Sequence, residues 1–182
     1  MIELLRKRRS IRKYSGGIID RKSRNLLIEA LLRAPSSRDF KPWEFIVVDD
    51  REILSKLSAA KEHGAHFLKN ANVGIVVCAD SRKSDVWVED CSIASILVQM
   101  VAVSLGLGSC WIQIRNRKYE GTKTSELYIQ RLLGLPRHIK VESIISIGHP
   151  GEKKKPVAKR KLEYDKIRRN HYSQYYFSRK IG

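Results

Sequence analysis

Along most of this chain apolar residues recur with a period, but in residues 87–114 they fall on every side of a helical wheel, and after Asp90 no charge appears until Arg115. A helix that is apolar all round is buried in a core or crosses a membrane, and roughly 20 apolar residues satisfy either reading. Polar interruptions at Ser92, Ser95, Gln99 and Ser104, and the lack of a second such stretch, favour the core. Gly106 and Gly108 end the helix, after which residues 109–114 read as a short strand. Roughly 20 helical residues rise about 30 Å, enough to cross a small domain. The expectation is a central core helix, buried within one chain or between two subunits.

The remaining elements alternate around it. Ile2–Lys7 reads as a short helix, and Asp20 as the N-cap of a helix reaching Arg33, with Leu26, Leu27, Ala30 and Leu31 on its buried face and Pro35 stopping it. Pro35, Ser36, Ser37 and Asp39 form a polar loop, and Pro42 sets the entry to a strand at 44–48. Residues 51–60 are amphipathic at helical period, and 72–79 form a continuous apolar strand of the kind buried on both faces. A helix over 122–133 is closed by Gly134 and Pro136, and a strand over 141–147 ends at His149-Pro150-Gly151. Helix and strand alternate through short connections, without repeat or linker, which predicts one layered α+β or α/β domain. From Glu152 the aliphatics thin out and basic clusters alternate with Tyr172, Tyr175, Tyr176 and Phe177. This tail is either a disordered extension or an arm that orders against another surface.

Composition changes the picture in one respect. A hydrophobic content of 42% fills a core, but a net charge of +17 and a pI near 10 predict attraction to polyanions, phosphorylated ligands or anionic surfaces. Cys78, Cys91 and Cys110 form no CxxC pair and sit in apolar runs, as buried free thiols do. The basic cluster follows rather than precedes the first short apolar segment, the reverse of a signal peptide, so a cytoplasmic protein is expected.

Candidate chemistry lies at both ends. Arg8, Arg9, Ser10 and Arg12 place three guanidinium groups and a hydroxyl within five residues, the donors that grip a phosphate; the alternative is a solvated basic arm. His63 and His66 have no third ligand at metal-site spacing. The glycines of Gly106–Ser109 follow a helix and lack a third glycine, so they do not make a dinucleotide fingerprint. Aromatic residues interleaved with positive charge in the tail leave a non-enzymatic, polyanion- or nucleic-acid-binding protein as the competing reading.

Four segments in this order resemble the nitroreductase family: RRSIRKY at residues 8–14, APSSRDFKPWEFIVV at 34–48, GLGSCWIQ at 106–113 and SIGHPGEKKKP at 146–156. The resemblance implies an α+β, three-layer α/β/α fold with a central mixed, mainly antiparallel sheet. It implies a homodimer with FMN at the subunit interface, the long apolar helix packing near the two-fold axis. NADH or NADPH would donate hydride to the flavin, and a nitroaromatic, quinone or similar acceptor would take the electrons in a ping-pong cycle. By the same resemblance Arg8, Arg9, Ser10 and Arg12 hold the FMN phosphate and ribityl chain, completed by Arg160 or Lys161. Pro35, Ser36, Ser37 and Asp39 line the isoalloxazine ring from the other subunit, Asp39 and Lys41 departing from the family's Asn and Gln. Trp111, Ile112 and Gln113 match the strand passing the reactive edge, where a backbone N–H faces flavin N5. No side chain is implied as a catalytic nucleophile. The excess charge either favours NADPH, whose extra phosphate rewards Lys and Arg near the pocket mouth, or is simply solvated.

Overall fold

In the computed structural model, which describes residues 1–177, the apolar runs rich in Ile and Val become strands. These are β1 (Trp43–Val48), β2 (Val73–Asp80), β3 (Gly108–Gln113), a small hairpin of β4 (Lys118–Glu120) and β5 (Lys123–Thr124), and β6 (Ile139–Gly148). The main sheet has the order β1-β2-β6-β3, every pair antiparallel. A parallel contribution comes from one isolated bridge, Ser10 to Ser109. The continuous apolar run of β2 therefore belongs to an antiparallel sheet whose two central strands are covered on both faces.

Helices make the two outer layers. On one face α2 (Arg21–Leu32) and α4 (Trp87–Ser104) cover the sheet, burying Leu27, Leu31, Val98, Ile145 and Ile147 together. On the other, α3 (Arg51–Ser58) and α5 (Ser125–Leu133) pack Leu54, Leu57 and Ile129 against Ile112 and Ile144. Each such side chain contributes about 1.5–3 kcal/mol by leaving water. The short α1 (Ile2–Lys7) rests on α4. Caps set the helix starts: Asp20 accepts from Ser23 N at 2.9 Å, Asp50 from Ile53 N at 2.9 Å and Thr124 from Leu127 N at 3.1 Å.

Several elements differ from the expected ones. Leu26 is 38% exposed, because α2 buries the narrow i,i+4 stripe of Leu27 and Leu31 and Leu26 is turned about 100° from the first of these. The helix expected from 51 to 60 ends at Ser58, and residues 122–124 belong to the β4–β5 hairpin, with Thr124 capping the helix behind it. α4 is buried on one side only: Cys91, Ala94, Ser95, Val98 and Ala102 are covered, while Ile93 and Ile96 are each 39% exposed. It is the one helix among the described residues long and apolar enough to cross a membrane. The tail is ordered as a hairpin of β7 (Arg168–Arg169) and β8 (His171–Tyr175), with the Arg168 guanidinium 4.0 Å from the Tyr175 ring centroid. Residues 178–182 of the expected arm lie outside the described residues. All three cysteines are free and buried.

Candidate functional site

Downstream of α1 the chain runs as an extended arm beside β3. The Ile11 N–H donates to Ser109 O at 2.9 Å, and the Gly151 N–H donates to Lys13 O at 2.8 Å. The Tyr14 hydroxyl donates to Ile11 O at 2.8 Å and lies 2.7 Å from Ser146 Oγ; burial pushes its phenol well above the usual range. Two glycines let the arm come this close. A Cβ on Gly108 would stand 2.8 Å from Ile11 Cβ, and one on Gly148 2.8 Å from the Tyr14 ring. The glycine of Gly106–Ser109 that looked like part of a nucleotide motif is there for packing of the arm.

Alternation along the extended arm sorts its side chains to two sides. Ile11 is buried beneath Gly108, and Arg9 shares its side, hydrogen-bonded to Lys155 O and lining a cavity of about 400 Å³ with Lys7, Glu152, Lys153 and Lys154. Arg8, Ser10 and Arg12 gather instead around Cys110. Burial raises that thiol's pKa, while Arg12, a hydrogen bond from Ser10, Lys154 and Arg8 oppose the rise. Lys154 Nζ donates to Ser10 O at 2.8 Å, and the Arg12 guanidinium stands 5.8 Å over the Phe67 ring. Glu152 holds the assembly, accepting from Arg12 N at 2.6 Å and Lys13 N at 3.2 Å and pairing with Lys154 at 3.2 Å. These contacts, the Arg12 N–H first, hold its carboxyl below the ordinary range.

The arm reading is thus divided: Arg9 sits apart from the other three, and Lys154 joins them. Arg160 and Lys161 lie in an exposed turn, Lys159–Lys161, with no hydrogen bond or ion pair to residues 8–12. Lys154 was hidden among neighbouring lysines, and only its hydrogen bond to Ser10 distinguishes it. Two guanidinium groups, an ammonium and a hydroxyl on one side of an arm are a donor set for a phosphate dianion.

Beside this cluster runs the free edge of β3. Ser109 O accepts from the arm, whereas the Ile114 N–H donates to Glu142 O on β6 at 3.1 Å. In an antiparallel strand successive residues present their N–H and C=O to opposite sides, so Ser109, Trp111 and Gln113 point outward and Ile112 points to β6. Among the described residues the outward Gln113 N–H meets no acceptor. Its side chain is fixed by Trp111 Nε1, which donates to Gln113 Oε1 at 2.9 Å, while Gln113 Nε2 donates to Arg115 O at 3.1 Å and approaches Glu142 Oε1 at 3.4 Å. Glu142 is 4% exposed, its Oε2 has no partner, and burial raises its pKa.

The loop after α2 is held elsewhere. Ser37 N donates to Asp90 Oδ1 at 2.8 Å, from the first turn of α4, and Lys41 N donates to Ser36 Oγ at 2.8 Å. Pro35 and Asp39 are exposed, and Asp39 pairs with Lys41 at 3.0 Å. Arg38, Asp39 and Lys41 have φ of 50°, 57° and 46°. Left-handed non-glycine residues cost about 1–2 kcal/mol each, and such strain collects where backbone groups serve a ligand. No hydrogen bond or ion pair among the described residues joins this loop to residues 8–12. Buried Asp90, which sequence reasoning passed over as the last charge before an apolar run, is what anchors it.

Fold and site together define an α+β protein whose antiparallel sheet lies between helical layers and whose arm gathers cationic side chains at one sheet edge. The model of the Nitroreductase family matches residues 5–62 and 57–149. An FMN-dependent nitroreductase of Clostridium difficile superposes with a TM-score of 0.93 at 47% identity, over 94% of this chain and 100% of that one. A protein of Archaeoglobus fulgidus, provisionally named NADH dehydrogenase/NAD(P)H nitroreductase, is 40% identical over 157 residues, covering 84% of this chain and 87% of its own. An FMN reductase [NAD(P)H] of Bacillus subtilis is 29% identical over 180 residues, covering 86% and 69%. The chain belongs to the nitroreductase family.

Proposed function

We propose that this chain, as a single domain, is an FMN-dependent oxidoreductase that takes hydride from NAD(P)H and reduces a nitroaromatic, quinone or similar acceptor by a ping-pong cycle. The observation that carries this reading is the coincidence of the phosphate grip and an unpaired outward N–H on one strand edge. Arg8, Ser10, Arg12 and Lys154 would hold the FMN phosphate and ribityl chain, with Arg9, Arg160 and Lys161 contributing charge from outside the cluster. Neither Arg8 nor Arg12 is in an ion pair among the described residues, so their charge is left for a dianion.

When bound, FMN supplies the hydride chemistry. The chain's own residues orient it and set the charge around it. Trp111 and Ile112 carry the edge strand, and the Gln113 N–H is placed to meet flavin N5; the Trp111–Gln113–Glu142 chain fixes that residue. Burial pushes the Lys61 ammonium down in pKa.

The reading includes a homodimer. The loop of Pro35, Ser36, Ser37 and Asp39 is separated from the grip within one chain, which supports its lining the ring of the other subunit. The exposed Ile93 and Ile96 of α4, with Leu26 and Leu32 of α2, leave an apolar surface suited to burial against a second copy. The test is an absorption spectrum after FMN reconstitution and desalting, followed by anaerobic NADPH or NADH. A retained flavin band that bleaches is expected; a protein that retains no flavin refutes the proposal.

A further inference from the structure

Beyond Gln113 the chain leaves β3 and builds a second basic site. A cavity of about 300 Å³ opens between the ends of β3 and β6 and the start of α4, walled by Trp87, Ile114, Arg115, Arg117, Glu126 and Lys140. Its charges are not neutralised equally. Lys140 pairs with Glu126 at 3.4 Å, but among the described residues neither Arg115 nor Arg117 is in an ion pair. Arg117 Nη1 makes one long contact, to Asn116 O at 3.5 Å. The Arg115 guanidinium stands 5.9 Å over the Trp87 ring, so a cation and an aromatic face border the same space. Arg115 and Arg117 follow Gln113 closely along the chain, so the cavity adjoins the end of β3.

We propose that this cavity receives the adenosine end of NADPH, its 2′-phosphate held by Arg115 and Arg117 and its base lying against Trp87. The inference rests on the flavin reading and adds the donor and its specificity. Reach permits it: Arg115 and Arg117 follow Gln113 by two and four residues, spans of at most about 7 and 14 Å, and a dinucleotide with its nicotinamide at the Gln113 edge is longer than either. The chemistry selects the ligand. Two guanidinium groups outside any ion pair among the described residues recognise a phosphate monoester bidentately, and NADH offers none at the 2′ position.

Calorimetric titration with 2′,5′-ADP, 5′-AMP and inorganic phosphate reads the site without turnover. Binding of 2′,5′-ADP about tenfold or more tighter than either of the others is expected, as is loss of that difference in the Arg115→Ala/Arg117→Ala double variant. In steady state the native protein prefers NADPH over NADH. The double variant raises KM for NADPH by about tenfold or more while NADH and the FMN content stay unchanged; Arg131→Ala, on the exposed side of α5, serves as the charge-loss control. Equal binding of 2′,5′-ADP and 5′-AMP, equal kcat/KM for the two nucleotides, or an equal loss with both in the variant overturns the site. Each of those results leaves the flavin band intact, whereas failure of the flavin reading shows as its absence.

Discussion

Gly108→Ala tests whether the arm's seat on β3 is what makes the phosphate grip. The added methyl would lie 2.8 Å from both Cβ and Cγ2 of Ile11 and 3.0 Å from Cγ1, well inside the about 3.5–4.0 Å at which carbon atoms pack best. Ile11 cannot simply step back, because its N–H is bonded to Ser109 O and its side chain is buried. Overpacking of this kind costs about 1–3 kcal/mol. β3 is held by its full ladder with β6, so the arm is the element that yields. The same energy then appears as a loss of FMN affinity of roughly 5- to 150-fold, because Arg8, Ser10 and Arg12 move with the arm. Flavin fluorescence titration measures the affinity and urea unfolding the stability. A double-mutant cycle sharpens the test: Ile11→Ala removes two of the three close contacts, so Gly108→Ala should cost less in that background than alone. Native FMN affinity in Gly108→Ala, or strictly additive effects in the cycle, would refute the account of the arm.

Two other outcomes follow from groups around the site. Burial raises the pKa of Glu142, so folding favours its neutral form. Its contribution is fully present below the ordinary glutamate pKa of about 4.3 and is lost as pH rises through the higher folded value. Glu142→Gln should therefore gain stability relative to the native chain as pH rises over that window, because the amide has no charge to bury while its carbonyl can still accept from Gln113 Nε2; a constant difference in urea midpoint across pH would contradict this. Asp39→Asn should raise the flavin reduction potential, since a carboxylate near the ring opposes the negative charge of the reduced state. It should also stabilise the fold slightly, because asparagine accepts φ of 57° more readily than most residues. An unchanged potential on anaerobic redox titration would place Asp39 away from the flavin.

The chain by itself determined the elements and the kind of chemistry. Periodicity placed α2, α3, α5 and the apolar strands, Asp20 marked a helix start, and RRSIRKY showed guanidinium and hydroxyl groups at a density that suits either a phosphate or a solvated basic arm. What only the tertiary structure decided depends on groups far apart in sequence. Sequence shows Arg8, Arg9, Ser10 and Arg12 as one cluster; the extended arm sends Arg9 to the opposite side, and Lys154, about 140 residues away, takes its place beside Ser10. Three left-handed residues in the loop after α2 have no glycine to betray them, since their backbone is set by Asp90 on α4 and by Ser36. The apolar run of residues 87–104 says that a helix will be buried, but which side meets the sheet and which stays exposed depends on where β2 and β6 lie beneath it. Local spacing dictates local geometry, whereas the meeting of arm, edge strand and terminal lysine is set by the close packing that Gly108 and Gly148 permit.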